Sequence, residues 1–219
     1  PAGEWAVTML GEEPGTPYNR MLLSKLLAKE IGTDGVQMRP EGWFAKHGVQ
    51  LRGGCPAAAI DTDARRVRDA AGTAHDYDAL VIATGSRPFV PPVPGADAPG
   101  VLAFRTLADV AAIEAAARGA RAAVVIGGGL LGLEAAAGLR HHGLKVTVVE
   151  AAPHLMPQQL DPSAAAMLGA ALERLGIRSV CGVFAERCGP DGVALQGGEL
   201  VEAELTVVAA GVRPETTLA

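Results

Sequence analysis

The stretch Ala122-Ala-Val-Val-Ile-Gly-Gly-Gly-Leu-Leu-Gly-Leu-Glu134 decides the fold. Its apolar start reads as a buried strand, and glycines follow at 127, 129 and 132. Residues 130–142 are rich in Ala and Leu and read as a helix. Lys145-Val-Thr-Val-Val149 then reads as a second strand ending on Glu150. Strand, glycine turn, helix, strand and acid, in that order, make the dinucleotide-binding unit. Gly127 permits the tight turn, Gly129 lets backbone approach a pyrophosphate, and Gly132 lets the helix pack closely. The pyrophosphate is expected at the helix start, among the unpaired amides of Gly129, Leu130, Leu131 and Gly132. Glu150 is placed to accept hydrogen bonds from an adenosine ribose. A carboxylate repels a 2′-phosphate, and Ala151-Ala152 offers no cation to hold one, so NAD(H) is expected over NADP(H). The rival reading is a glycine-rich turn in an ordinary α/β sheet, since 28 of the 219 residues are glycine. A phosphate loop of the ATPase kind is excluded, because no Gly-Lys-Ser/Thr follows.

Outward from that unit, an apolar content of 49% is enough for a real core in one large or two small domains. A net charge of −5 without a basic run argues against nucleic acid as a partner. The uncharged residues 122–133 are too few to span a bilayer, and no secretory leader is read at the start. A cytoplasmic protein with reduced thiols is expected, with no membrane partner. Cys55, Cys181 and Cys188 have no metal-ligand spacing and form no Cys-x-x-Cys pair. The five histidines show no metal pattern either, so no metal site is expected. His141 and His142 fall where a helix should end, where a positive dipole partner is favoured.

The proline-rich segment Arg87-Pro-Phe-Val-Pro-Pro-Val-Pro-Gly-Ala-Asp-Ala-Pro-Gly100 reads as a stiff connector. Before it lies Ala79-Leu-Val-Ile-Ala-Thr-Gly-Ser-Arg-Pro88, and an echo, Leu205-Thr-Val-Val-Ala-Ala-Gly-Val-Arg-Pro214, lies near the end. Each reads as a buried strand, a small-residue glycine turn, then x-Arg-Pro. Two like joints around one unit predict an α/β chain in which a dinucleotide domain (100–212) is inserted into another (1–99, resuming at 213–219). Chance similarity of two buried strands is the alternative. Residues 107–117 read as a helix, and Asp161-Pro162 as the cap and first residue of another that stops at Gly176. Short strands are predicted over 177–184, 192–196 and 200–204. At the front, residues 5–10 read as a strand, the run after Tyr18 as a helix reaching Gly32, and 43–48 as a short helix before a strand at 49–52.

Pro17-Tyr-Asn-Arg-Met-Leu-Leu-Ser-Lys25, Tyr77-Asp-Ala-Leu-Val-Ile-Ala-Thr-Gly-Ser-Arg-Pro88, the turn from Gly127 to Glu134, and Ala209-Ala-Gly-Val-Arg-Pro214 together resemble the FAD-dependent pyridine nucleotide oxidoreductases. These share the glutathione-reductase-like architecture of two dinucleotide-binding domains. Within the superfamily the likeness is to the N-terminal flavoprotein part of assimilatory NAD(P)H nitrite reductase large subunits, with Leu155-Met-x-x-Gln-Leu-Asp161 a further shared stretch. Ferredoxin and rubredoxin reductases look almost as similar. Family members open with a first strand and a second glycine fingerprint, and continue past the Arg-Pro joint. The sequence here is therefore expected to be a fragment with an incomplete FAD domain.

The resemblance implies that NADH docks on the inserted domain and passes hydride to FAD. Electrons then go to downstream sirohaem and iron–sulfur domains for nitrite reduction, or to a small separate iron–sulfur acceptor. It implies that Glu134 faces the nicotinamide–flavin junction and pairs with Lys25. An acid near a helix start also needs no partner, and Lys25 and Arg20 also fit as solvated cations. Tyr18, Ser24, Thr84, Gly85 and Gly211 are implied flavin neighbours, and Glu12 an implied holder of the FAD ribose. A serine at 24 disfavours the cysteine chemistry of related NADH oxidases. A homodimer is compatible with the family, and a non-catalytic NAD-binding or redox-sensing module is the remaining alternative.

Overall fold

A computed structural model describes residues 5–219. The front carries β1 (Val7–Leu10), α1 (Leu23–Leu27), α2 (Trp43–Lys46), β2 (Val49–Arg52), β3 (Ala57–Asp61), β4 (Arg66–Asp69), β5 (Ala74–Asp76) and β6 (Ser86–Pro88). The middle carries β7 (Val101–Ala103), α3 (Leu107–Ala117), β8 (Ala122–Ile126), α4 (Leu130–His141), β9 (Lys145–Glu150) and α5 (Pro162–Arg174). The end carries β10 (Ile177–Cys181), β11 (Ala185–Gly189), β12 (Gly192–Leu195), β13 (Leu200–Glu202), β14 (Leu205–Val208) and β15 (Val212–Pro214). The chain divides into two compact units. One holds Pro1–Asn19, Val36–Ser86 and Pro214–Ala219, and the other Arg20–Gly35 and Arg87–Arg213. The chain thus passes between units at 19/20, 35/36, 86/87 and 213/214, and the segment with α1 belongs with the dinucleotide motif.

In the second unit a parallel sheet runs β10-β9-β8-β14-β7. The order reverses beside β8, the strand that feeds the glycine turn, and this is where open α/β sheets leave a crevice for ligands. Strand alternation decides the layers. Val124 and Ile126 join Val149 and Val208 in one buried cluster with Cys188, Val193, Leu195 and Val201 of the antiparallel β11-β12-β13 ribbon and with Ala203 just past it. Val125 faces the other way, toward Gly132 of α4. The Asp161 cap read from the sequence is present, and α3 has a cap that was not read. Thr106 and Asp109 form a reciprocal capping box on α3, and Asp161 accepts the Ala164 amide at 2.8 Å to open α5 at Pro162.

The first unit has a parallel β1-β2 pair and an antiparallel β3-β4-β5 meander. Here the reading of twin buried strands is corrected. Leu205–Val208 is buried throughout, with β8 and β7 on its two sides. Residues 80–83 have the same apolar character yet lie in no strand, and Val81 is 85% exposed. Among the described residues no strand lies beside them, and an apolar run is buried only where neighbours cover it. The run after Tyr18 is also shorter as a helix than expected: a single 3-10 turn, Arg20–Leu22, and then five residues of α1. Strand β1 begins at Val7 rather than at residue 5, and β11 was not expected as a separate strand. The two Arg-Pro joints, β6 and β15, form a small two-stranded sheet.

Candidate functional site

The turn after β8 is built from backbone that cannot carry side chains. Gly127 has φ +116°, and a Cβ there would stand 2.5 Å from the Ala209 carbonyl oxygen. A Cβ on Gly132 would run into the carbonyl of Gly127, so this glycine is fixed by the turn itself as well as by the Val125 side chain 3.5 Å away. Gly129 differs: φ is −80° and nothing lies within 4 Å of the place its Cβ would take. It caps α4 without any side-chain hydrogen bond, so the first amides of a twelve-residue helix open onto clear space. Leu130 is 61% exposed and Leu131 half-buried at that end.

The acid at the end of β9 is tied into the same turn. The Gly128 amide donates to Glu150 Oε2 at 2.6 Å, and the Ala152 amide to Oε1 at 2.8 Å. Two amides fix the plane of the carboxylate, while roughly four lone-pair positions leave room for two ribose hydroxyls. Gly128 was not singled out from the sequence. A Cβ there would stand 2.8 Å from Leu155 Cδ2 and 2.9 Å from Glu150 Cβ. The run of three glycines was the available signal. Cys181 stands in register with Glu150 on β10, and burial, followed by that carboxylate, pushes its thiol up.

The other candidates are placed as follows. Glu134 is the fifth residue of α4, just past its first turn, and is half-buried. Helices α1 and α4 pack together: Gly138 lies against Leu27, and His142, capping α4, bonds the Leu27 carbonyl at 2.8 Å. Lys25 is exposed on α1, Ser24 half-buried, and no ion pair joins Lys25 to Glu134 among the described residues. Arg20 donates to the Arg105 carbonyl at 3.0 Å. With Leu23, Phe104 and Leu131, these two arginines line a cleft of about 30 Å³ at the head of α4. Arg20 and Leu131 are thereby brought together. In the first unit the Tyr18 hydroxyl donates to Glu13 Oε2 at 2.6 Å, and Glu12 is exposed. Thr84 donates to the Glu215 carbonyl at 2.6 Å, while Gly85, at φ +72°, accepts the Glu215 amide at 2.9 Å. Gly211 has φ +109° and accepts the Phe89 amide at 2.9 Å.

A parallel sheet that reverses order beside a three-glycine turn, with a pinned acid on the next strand, defines a dinucleotide-binding protein. The family model for pyridine nucleotide-disulphide oxidoreductases matches residues 2–219, and the chain belongs to that family. It is 40% identical over 219 residues to a nitrite reductase [NAD(P)H] of Bacillus subtilis (strain 168), covering 98% of this chain and 27% of the relative. It is 39% identical to the assimilatory nitrate reductase electron transfer subunit of the same organism, covering 97% and 28%. The crystal structure of a ferredoxin reductase from Rhodopseudomonas palustris superposes with a TM-score of 0.89 at 33% identity, over 95% of this chain and 53% of that one. The chain thus spans little more than a quarter of these two curated relatives and about half of the structural one. No helix among the described residues is long and apolar enough to cross a membrane.

Proposed function

We infer that this chain is a flavoprotein reductase module that passes hydride from NADH to FAD and sends electrons on to a metal centre, in the service of nitrite reduction. The observation that carries the reading is the Glu150 carboxylate, held by the Gly128 and Ala152 amides beside the open helix start at Gly129. A pyrophosphate fits that start, where uncapped amides and the helix dipole favour an anion. Ribose hydroxyls fit the free lone pairs of Glu150. A 2′-phosphate does not, since the fixed negative charge would repel it. NADH is therefore the expected donor over NADPH.

FAD, when bound, accepts the hydride and releases electrons singly or in pairs. The chain's own part is to bind and orient. The turn fixes the nucleotide, and Leu131 with Arg20 closes the head of α4. Lys25 and Glu134, on packed helices, are assigned to the nicotinamide side. Tyr18, Ser24, Thr84, Gly85 and Gly211 are assigned to the flavin, and Glu12 to its ribose. The open backbone at Gly85 and Gly211, where nothing stands within 4 Å of a Cβ position, suits close approach of a ring. Reduction of a separate iron–sulfur protein is a second reading, favoured by the likeness to the ferredoxin reductase. A purified chain loaded with FAD, desalted and then given NADH without oxygen should keep a yellow band that bleaches. A chain that retains no flavin would remove the flavin half of this reading. In direct binding, Glu150→Arg should lower NADH affinity by about tenfold to a hundredfold, the worth of hydrogen bonds to a charged group, and turn the preference toward NADPH. An unchanged preference would take Glu150 out of the ribose site.

A further inference from the structure

The meander of the first unit assembles a group of side chains that the dinucleotide chemistry does not use. Pairing of β4 with β5 sets Val67 opposite His75, and the β3 pairing sets Asp69 opposite Ala57, just after Cys55. Asp69 is buried, at 5% exposure. Its Oδ1 accepts the amides of Ala71 at 3.0 Å and Thr73 at 2.8 Å, which locks the carboxylate. Its Oδ2 faces two other groups, the Cys55 thiol at 3.3 Å and His75 Nε2 at 2.9 Å. The three atoms Sγ, Oδ2 and Nε2 all lie within 4.8 Å of one another, and Cys55 and His75 are only half-buried.

We propose that Cys55, Asp69 and His75 bind a divalent transition-metal ion of the zinc class, with a fourth position open to water. Bond lengths of about 2.3 Å to sulfur and about 2.0–2.2 Å to nitrogen and oxygen put tetrahedral ligand atoms roughly 3.4–3.6 Å apart. The two contacts to Oδ2 need open by only a few tenths of an ångström to reach that spacing. One oxygen facing two groups that each ligate a metal once their protons leave is a place where a single dication can replace them. Thiolate and carboxylate then balance its two charges. The donor set selects the ion: sulfur and imidazole nitrogen exclude magnesium and calcium, which take oxygen. The locked Oδ1 supplies the outer support that metal-binding carboxylates have. A cysteine nucleophile is the wrong reading of the same residues, because the carboxylate stands between thiol and imidazole. Burial, then Asp69, also holds the Cys55 thiol above its ordinary range. Linear spacing hid the group, since the hairpin register, rather than a sequence motif, brings it together.

The whole chain, freed of metal by a chelator and of any affinity tag, is titrated with Co²⁺. One equivalent should bring up a thiolate-to-cobalt charge-transfer band with intense tetrahedral visible absorption, and Zn²⁺ should displace both. Cys55→Ser and His75→Gln should each weaken binding at least tenfold, while Cys181→Ser should leave it as it was. Thermal melts establish that each variant is folded, and a folded Cys55→Ser alone is decisive. No thiolate band in the parent chain, or a band that survives in Cys55→Ser, overturns the site.

Discussion

Two glycines of one turn, Gly129 and Gly132, are alike in sequence and opposite in what they tolerate. A methyl group on Gly132 meets the carbonyl of Gly127, which is backbone and cannot step aside. Gly132→Ala should cost about 1–3 kcal/mol of stability, as overpacking does, and lose NADH binding with it. A methyl group on Gly129 meets nothing. Gly129→Ala should cost at most about 1 kcal/mol, the difference between a glycine and an alanine cap, and still weaken NADH where the pyrophosphate must approach. Chemical unfolding set beside nucleotide titration separates the two; equal losses in both variants would mean the open face is not the binding face. This turn was legible in the sequence because its pattern is local: strand, glycines, helix, strand and acid follow one another without a break over residues 122–150. Asp69 was not legible. Its partners lie apart, Cys55 in the loop before β3 and His75 on β5, and only register decides that they meet.

The start of β8, the strand that presents the turn, is held by a charge at the other end of the sequence. Glu204 accepts the amides of Arg121 at 3.1 Å and Ala122 at 3.0 Å, and the Arg121 guanidinium at 3.1 Å. These donors pull its carboxyl down to about 2, the backbone amides first. The folded value lies below the ordinary one, so the stabilisation is complete above the ordinary carboxylate range and fades as pH falls from about 4.5 toward 2. Glu204→Gln should flatten the loss of stability across that interval and leave it unchanged near neutrality in its pH slope. A parallel acid-unfolding curve for the variant would show that the contact does not titrate. The same scale shows where sequence pattern stops. The cap of α5 was readable because Asp161 acts within one turn of the helix it opens. Residues 80–83 and Leu205–Val208 read alike, and only the company of β7 and β8 makes the second a core strand.

Across the molecule, chain order and spatial membership part ways. Helix α1 sits in the front of the sequence but belongs to the unit of the nucleotide turn, with Leu27 fully buried against Gly138. No periodicity announces such a docking, because five helical residues carry too little pattern. Leu27→Ala should therefore cost about 2–5 kcal/mol, the usual range for a buried leucine, and the loss should appear in the nucleotide unit. Unfolding followed with and without saturating NADH checks it: the nucleotide should recover part of the loss by mass action. A variant that unfolds the front segment while NADH affinity and protection stay as in the parent would detach α1 from that unit. The bond from Gly128 to Glu150 has a consequence for anyone redesigning cofactor choice. The acid proposed to discriminate between nucleotides is also the acceptor of the Gly128 amide within the turn. Exchanging it alone trades selectivity against affinity for both coenzymes, and a productive redesign has to give the Gly128 amide a new acceptor in the same step.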